Sequence, residues 1–273
     1  MTIASPATAA DTAPVLLREN TGNIVTLVLD RPQARNALSE AMLAALGQAL
    51  GAIADDRTIR AVVLAANGPA FSAGHDIKEM TARRGDADGG RAYFKHLMEA
   101  CSAVMQMIVR LPQPVIAAVE GVATAAGCQL VASCDLAVAG ENARFATPGV
   151  DIGLFCSTPM VALSRNVSRK HAMEMLLTGE MIGAADAQRM GLVNRVVPAG
   201  QARAEARGFA EKIAGKAGAV VKLGKEAFYR QAEMDLASAY AYASEVMVEN
   251  LLAADAEEGM CAFIDKRSAH WQT

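Results

Sequence analysis

The stretch PVIAAVEGVATAAGCQLVASCDLAVAG, Pro114 to Gly140, decides the fold. PVIAAVEG is an apolar run of strand length. A small-residue turn, Gly121 to Ala126, follows it. AGCQLVASCD then reads as the first turns of a helix, and DLAVAG as a second apolar strand. Two apolar strands joined through a helix make a parallel pair buried on both faces. Gln129 lies inside this apolar helix, where an amide must find hydrogen-bond partners or cost stability.

The same alternation extends outward. NIVTLVLD (Asn23 to Asp30) and IRAVVLAA (Ile59 to Ala66) read as strands, and Ser39 caps a helix over Glu40 to Ala54. Tyr93 to Arg110 carries Phe94, Leu97, Met98, Cys101, Met105 and Ile108 at helical spacing, and Pro112 and Pro114 end it. RRGDADGG, Arg83 to Gly90, is expected to be a mobile surface patch. Beyond Gly200 only helices are expected: Ala202 to Ala214, Val220 to Gln231, Leu236 to Ala253 and Ala256 to His270. The chain therefore divides into a tail (1–13), an α/β core (14–200) and a helical region (201–273). Apolar faces such as YAYASEVMVENLL are best buried against the core or another subunit.

Composition excludes several functions. At 273 residues and 52% hydrophobic, the chain can bury a large core. A net charge of -3 and 4% aromatic residues argue against nucleic acid. No apolar stretch approaches a membrane span, and MTIASPATAADTA lacks the layout of a signal peptide. The five cysteines form no CxxC pair and read as reduced thiols of a cytoplasmic protein. The four histidines make no metal-binding pair, so no metal is expected.

Two glycine-bearing turns, FSAGHD and TAAGCQ, can carry chemistry. The second opens a helix, whose free N–H groups favour an anionic oxygen. Two such donors aimed at one oxygen form an oxyanion hole. The alternative is two ordinary tight turns.

RPQARNALS, FSAGHDIKEM, the Pro114 to Pro148 stretch, AMEMLLTGEMIGAADAQRMGLVNRVVP and EGMCAFIDKR occur in this order. Together they resemble the enoyl-CoA hydratase/isomerase (crotonase) family from about Asn20 to His270. ATAAGCQLVASCD and FATPGVDIGLFCSTP look like one branch of it in particular. The resemblance implies a spiral of strand–strand–helix turns and a C-terminal helical region that makes a homotrimer or a dimer of trimers. It implies a coenzyme A thioester as substrate, with no permanently bound cofactor. The oxyanion donors it implies are the backbone amides of His75 and Ala126, with the His75 ring pointing outward. Contacts to CoA fall on Arg35, Ala37, Ala73, Asp76, Ile77, Lys78, Phe263 and Lys266. The last two would come from a C-terminal helix, of the same or a neighbouring subunit.

The departures from the family pattern are chemical. Two glutamates serve typical hydratases as acid and base, and their places hold Gln129 and Gly149. Ser157 holds the place of the acid of some isomerases. Asp151 reads as structural. The nominal activity, addition of water to a 2-enoyl-CoA, is therefore expected to lack its proton-transfer groups. One alternative is a bound base, as in family members where bicarbonate replaces the second glutamate. Gly149 would leave room for it, with Thr147 and Gln129 to hold it. The other is a non-catalytic acyl-CoA binder.

Overall fold

Runs of valine, isoleucine and small residues build two sheets that share one core. The computed structural model describes residues 13–272. The expected N-terminal tail lies, except for Ala13, outside the described residues. β1 (Leu16–Thr21) and β2 (Ile24–Leu29) form an antiparallel hairpin, and α1 (Glu40–Asp55) follows under its Ser39 cap. Three successive units then repeat one path. β3 (Ala61–Ala66) leads to β4 (Ala70–Ser72), then to α2 (Ile77–Ala82) and α3 (Arg91–Arg110). β5 (Val115–Val119) leads to β6 (Val122–Thr124) and α4 (Ala126–Ser133). β7 (Leu136–Gly140) leads to β8 (Arg144–Ala146) and α5 (Ser157–Leu163). In every unit the first strand joins one sheet and the second strand the other. The six-stranded sheet runs β1-β2-β3-β5-β7-β10 and the four-stranded sheet β4-β6-β8-β9.

The chain continues through α6 (Arg169–Thr178), β9 (Ile182–Gly183), α7 (Ala184–Met190) and β10 (Arg195–Val197). Four helices close it: α8 (Ala202–Ala214), α9 (Gly218–Gln231), α10 (Leu236–Leu251) and α11 (Ala254–Ile264). Side chains alternate across the large sheet. Val62, Leu64 and Ala117 face α1, α3 and the second sheet in the main core. Ala61, Val63, Ala65, Ile116 and Val138 face the opposite way, onto Ala202, Ala206 and Ala210 of α8. Those three alanines stand four residues apart on one stripe, so the helix lies close to the strands.

Asp135, between α4 and β7, ties the helical end to this core. Its carboxylate accepts from the Val115 N–H (2.7 Å), Lys225 Nζ (2.6 Å) and the Tyr229 hydroxyl (3.0 Å). Lys225 Nζ also donates to the carbonyls of Ile108 (3.0 Å) and Gln113 (3.2 Å). Burial pulls the Lys225 pKa down, against the opposing pull of Asp135.

Three readings change. β1 and the short strands β4, β6, β8 and β9 escape detection because two or three residues carry no period, and β1 reads as polar. The Arg83–Gly90 patch is built rather than mobile: Arg83–Gly85 is a 3-10 turn, and Asp88 accepts from the N–H groups of Gly90 (2.9 Å) and Ala92 (2.8 Å) at the start of α3. The last helix stops at Ile264, not His270. Lys266 takes φ +54, the Arg267 N–H returns to the Ala262 carbonyl (3.0 Å), and the Arg267 side chain folds back onto Glu258.

Lys225→Met leaves the Asp135 carboxylate buried without its cation. The expected loss is about 3 kcal/mol, read as a fall of roughly 6–12 °C in Tm at fixed protein concentration. A fall below about 2 °C would show that the clamp does not hold the helices.

Candidate functional site

The loop between β2 and α1 is welded to the turn after β4. Arg35 and Asn36 both adopt positive φ (50° and 51°). Asn36 is fully buried: its Oδ1 accepts from the Arg31 N–H (2.7 Å), and its Nδ2 donates to the carbonyls of Asn67 and Ala70 (2.8 Å each). Ser72 Oγ donates to the Asn36 carbonyl (2.8 Å) and the Ala73 N–H to the Arg35 carbonyl (3.0 Å). The Leu38 N–H donates to the Gly74 carbonyl (2.7 Å). Arg35, Ala37 and Ala73 thus stand together, and Ile77 and Lys78 lie exposed at the start of α2.

Asp76 plays a different part from the one expected of a ligand contact. Its carboxylate caps α2 by accepting from the N–H groups of Lys78 (3.0 Å) and Glu79 (3.3 Å), and it pairs with Arg31 (2.7 Å). Burial alone would raise its pKa, but the Arg31 bond and the cap hold the carboxyl below its ordinary value.

This turn meets the start of α4 in backbone contact. Gly74 has φ +88, and a Cβ there would lie 3.0 Å from Ala125 Cβ and 3.2 Å from the Ala126 nitrogen. A Cβ on Gly127 would lie 2.2 Å from the Ser72 carbonyl oxygen. Ala125 itself is held at φ 49, ψ -119, its N–H donating to the Ala146 carbonyl (2.9 Å). That conformation is costly for a residue with a Cβ and persists only where the surroundings enforce it. Ala126 opens the helix, so its N–H has no intrahelical partner. Among the described residues, neither the His75 nor the Ala126 N–H donates to a carbonyl outside the regular elements.

The His75 ring is turned inward, not outward as expected. Nδ1 lies 3.4 Å from the Leu38 carbonyl oxygen, and Nε2 is sealed from solvent without a partner. Burial lowers the ring's pKa, only partly offset by the Leu38 carbonyl.

Gln129 lies three residues beyond Ala126 on the same helical face. It is 4% exposed, and its Oε1 has no partner; neither has the buried Thr147 Oγ1. A Cβ on Gly149 would stand 2.9 Å from both Cys156 Sγ and the Leu154 carbonyl oxygen, so a side chain could not grow there without movement. Ser157 begins α5 and is exposed, its Oγ donating to the Phe155 carbonyl (3.3 Å). Asp151 is exposed as well. Phe263 is 86% exposed on α11, and among the described residues no hydrogen bond or ion pair joins it or Lys266 to Arg35, Ala73 or Asp76. No group of three or more metal-ligating side chains occurs among the described residues, and no helix there is long and apolar enough to cross a membrane.

The family model for enoyl-CoA hydratase/isomerase matches residues 19–273. The chain belongs to that family. This hydratase/isomerase-family protein is 50% identical over 248 residues to the mitochondrial enoyl-CoA hydratase domain-containing protein 3 of Rattus norvegicus, covering 91% of the chain and 81% of the relative. A crystal structure of an enoyl-CoA hydratase from Mycobacterium smegmatis superposes with a TM-score of 0.91 at 55% identity, covering 96% of this chain and all of the other (100%). The human enoyl-CoA hydratase domain-containing protein 3 superposes with a TM-score of 0.89 at 47% identity, covering 94% and 100%. The branch marked by ATAAGCQLVASCD and FATPGVDIGLFCSTP is thus this one, and the two-sheet spiral is the crotonase fold. The expected cytoplasmic location is overturned: the rat relative is named as mitochondrial. Reduced thiols indicate a reducing environment, not which compartment supplies it.

Sequence reasoning missed Asn36, Ser72 and Arg31, which brace the site without touching its centre. An asparagine after an arginine in a proline-led loop was the available signal, since asparagine tolerates positive φ.

Gly127→Ala drives a Cβ into the Ser72 carbonyl. It is expected to destabilise the protein by about 3 kcal/mol in urea unfolding; unchanged stability would show that the two turns are not in forced contact. The thiols give a second check. Burial raises Cys101 and Cys128 to about 12, and it raises Cys134 and Cys156 too. Among the cysteines only Cys261 is exposed. Iodoacetamide at pH 8 is expected to alkylate the native chain at Cys261 alone by mass spectrometry; fast labelling of Cys156 would mean an open site.

Proposed function

We propose that this protein binds a coenzyme A thioester and stabilises its enolate oxygen with the backbone N–H groups of His75 and Ala126. The observation that supports this is the close approach of Gly74, the residue before His75, to the Ala126 nitrogen. The first turn of α4 adds its positive dipole end. Donors of this kind contribute about 3–4 kcal/mol each to transition-state stabilisation in measured cases.

Arg35, Ala37, Ala73, Ile77 and Lys78 form the rim where the CoA chain would run, with Lys78 free to meet phosphate. Phe263 and Lys266 would serve a neighbouring subunit's site rather than their own. Helices α9–α11 carry exposed Phe228, Leu236, Tyr240, Leu251, Phe263 and Ile264, a surface suited to a homotrimer or a dimer of trimers.

Hydration of a 2-enoyl-CoA is then the inherited but impaired reaction. A glutamine amide has no usable pKa, Gly149 offers nothing and is walled by Cys156, and Ser157 faces outward. A bound base such as bicarbonate is the alternative source of proton transfer, and dependence of turnover on added bicarbonate tests it.

Two measurements test the reading. Calorimetry with CoA and butyryl-CoA is expected to give micromolar binding. Crotonyl-CoA hydration is expected to be slow in the wild type and at least about tenfold faster in Gln129→Glu, one restored acid–base group. No CoA affinity would overturn the reading. Rapid wild-type hydration would overturn the assignment of Gln129 as a lost acid.

A further inference from the structure

We propose that the cleft beneath α9 receives an acyl chain whose far end is a carboxylate, and that Arg110 and Lys222 select it. The inference rests on the CoA-thioester reading above and names the acyl class that the site takes.

The cleft measures about 1180 Å³ and lies between α3, α4, α5 and α9. Pockets for drug-sized ligands run to roughly 300–1,000 Å³, so an extended chain has room. Gln129 lines it, three residues beyond Ala126 on the same face of α4. Asp135, just past the C-terminal end of α4, lines it too. The cleft thus begins beside the place proposed for the thioester and follows α4 to its end. Met105, Val109, Ala132 and Val161 give its walls an apolar stretch, against which methylene groups leave water.

The charges on this lining do not cancel. Lys225 is paired with Asp135 (2.6 Å) and Arg165 with Glu233 (3.1 Å). That leaves three cations, Arg110, Lys222 and Arg230, against one carboxylate, Glu226. Arg230 lies over the Tyr242 ring, 4.6 Å from its centroid. Arg110 donates to the neutral amide of Gln106 (3.0 Å), which leaves its charge uncompensated. Among the described residues Lys222 makes no hydrogen bond or ion pair.

Arg110 and Lys222 belong to the same end of the cleft. Lys225 is fixed by the carbonyls of Ile108 and Gln113, which bracket Arg110 in the chain. Lys222 stands three residues before Lys225 on the same face of α9. Both cations therefore flank the Asp135 end, away from the thioester. The eight residues of α4 rise about 12 Å. At about 1.2 Å per bond of extended chain, that distance takes about ten bonds. The matching ligand is a dicarboxylic acyl group of about ten carbons, held by its thioester at one end and by the two cations at the other.

The test is calorimetry with decanedioyl-CoA and decanoyl-CoA, which differ in the terminal carboxylate, beside succinyl-CoA and butyryl-CoA. At low salt the wild type is expected to bind decanedioyl-CoA about fivefold to tenfold more tightly than decanoyl-CoA. Most of that preference is expected to vanish at high salt. Succinyl-CoA, too short to reach, is expected to gain nothing over butyryl-CoA. The double variant Arg110→Gln/Lys222→Gln replaces two exposed side chains. It is expected to abolish the preference while decanoyl-CoA affinity stays within about twofold. No preference in the wild type would overturn the inference, as would a preference that persists in the double variant or appears equally in the short pair. Decanoyl-CoA binding far weaker than butyryl-CoA would show the cleft closed, by a second copy of the chain or otherwise, and would overturn it too. If neither CoA nor butyryl-CoA binds, the thioester reading itself fails, and this inference with it.

Discussion

The site depends on one constraint: the backbone of the Ser72–His75 turn must touch the backbone at the start of α4. Gly127 against the Ser72 carbonyl and Gly74 against the Ala126 nitrogen are the two points of contact. Neither point admits a Cβ without movement. Strain at Ala125 belongs to the same constraint, since its positive φ turns the chain from β6 into α4 while its N–H holds β8. Preorganised donors stabilise charge because they need no rearrangement as it develops. A contact this tight would keep the proposed donors fixed before any ligand arrives.

Two braces transmit that rigidity. On one side, Asn36 spends its side-chain amide on three backbone groups and Ser72 locks to it, so the β2–α1 loop cannot move apart from the β4 turn. On the other, Asp135 receives Val115, Lys225 and Tyr229 at the far end of α4. The first brace fixes where the helix begins relative to the turn. The second fixes the helical tail relative to the helix. Both use buried, fully engaged polar groups, where leaving one partner unpaired costs far more than the bond itself contributes.

How much of this was legible depended on length and on direction. Val115–Val119 and Leu136–Gly140 are unbroken apolar runs of five residues, so their strands were plain. Ala70–Ser72, Val122–Thr124 and Arg144–Ala146 are three residues each and show no alternation, yet they make the second sheet of the spiral. Only the family resemblance supplied that sheet. Among site residues, the glycine turns announced close backbone approach without saying to what. The direction of the His75 ring depends on Leu38, which lies 37 residues away, and the thiol beside Gly149 on how the intervening turn folds Cys156 back. The helix end at Ile264 depends on Arg267 folding back to Glu258, which helical spacing does not encode.

The residues at 129 and 149 separate binding from chemistry. A general acid or base contributes about 10²- to 10⁴-fold to rate, so replacing both removes roughly 5–11 kcal/mol of transition-state stabilisation by that arithmetic. None of that loss touches the backbone donors, which belong to Gly74–His75 and Ala125–Ala126. On the function proposed above, a thioester would be held and its enolate favoured, while water addition, which needs a proton removed from one place and delivered to another, would lack both agents. Cys156 constrains position 149: with its sulfur 2.9 Å from where a Cβ would grow on Gly149, a glutamate there would have to move the Leu154–Cys156 turn. On that proposal the half of the site made of backbone lies beyond the reach of side-chain replacement, and the half made of side chains does not.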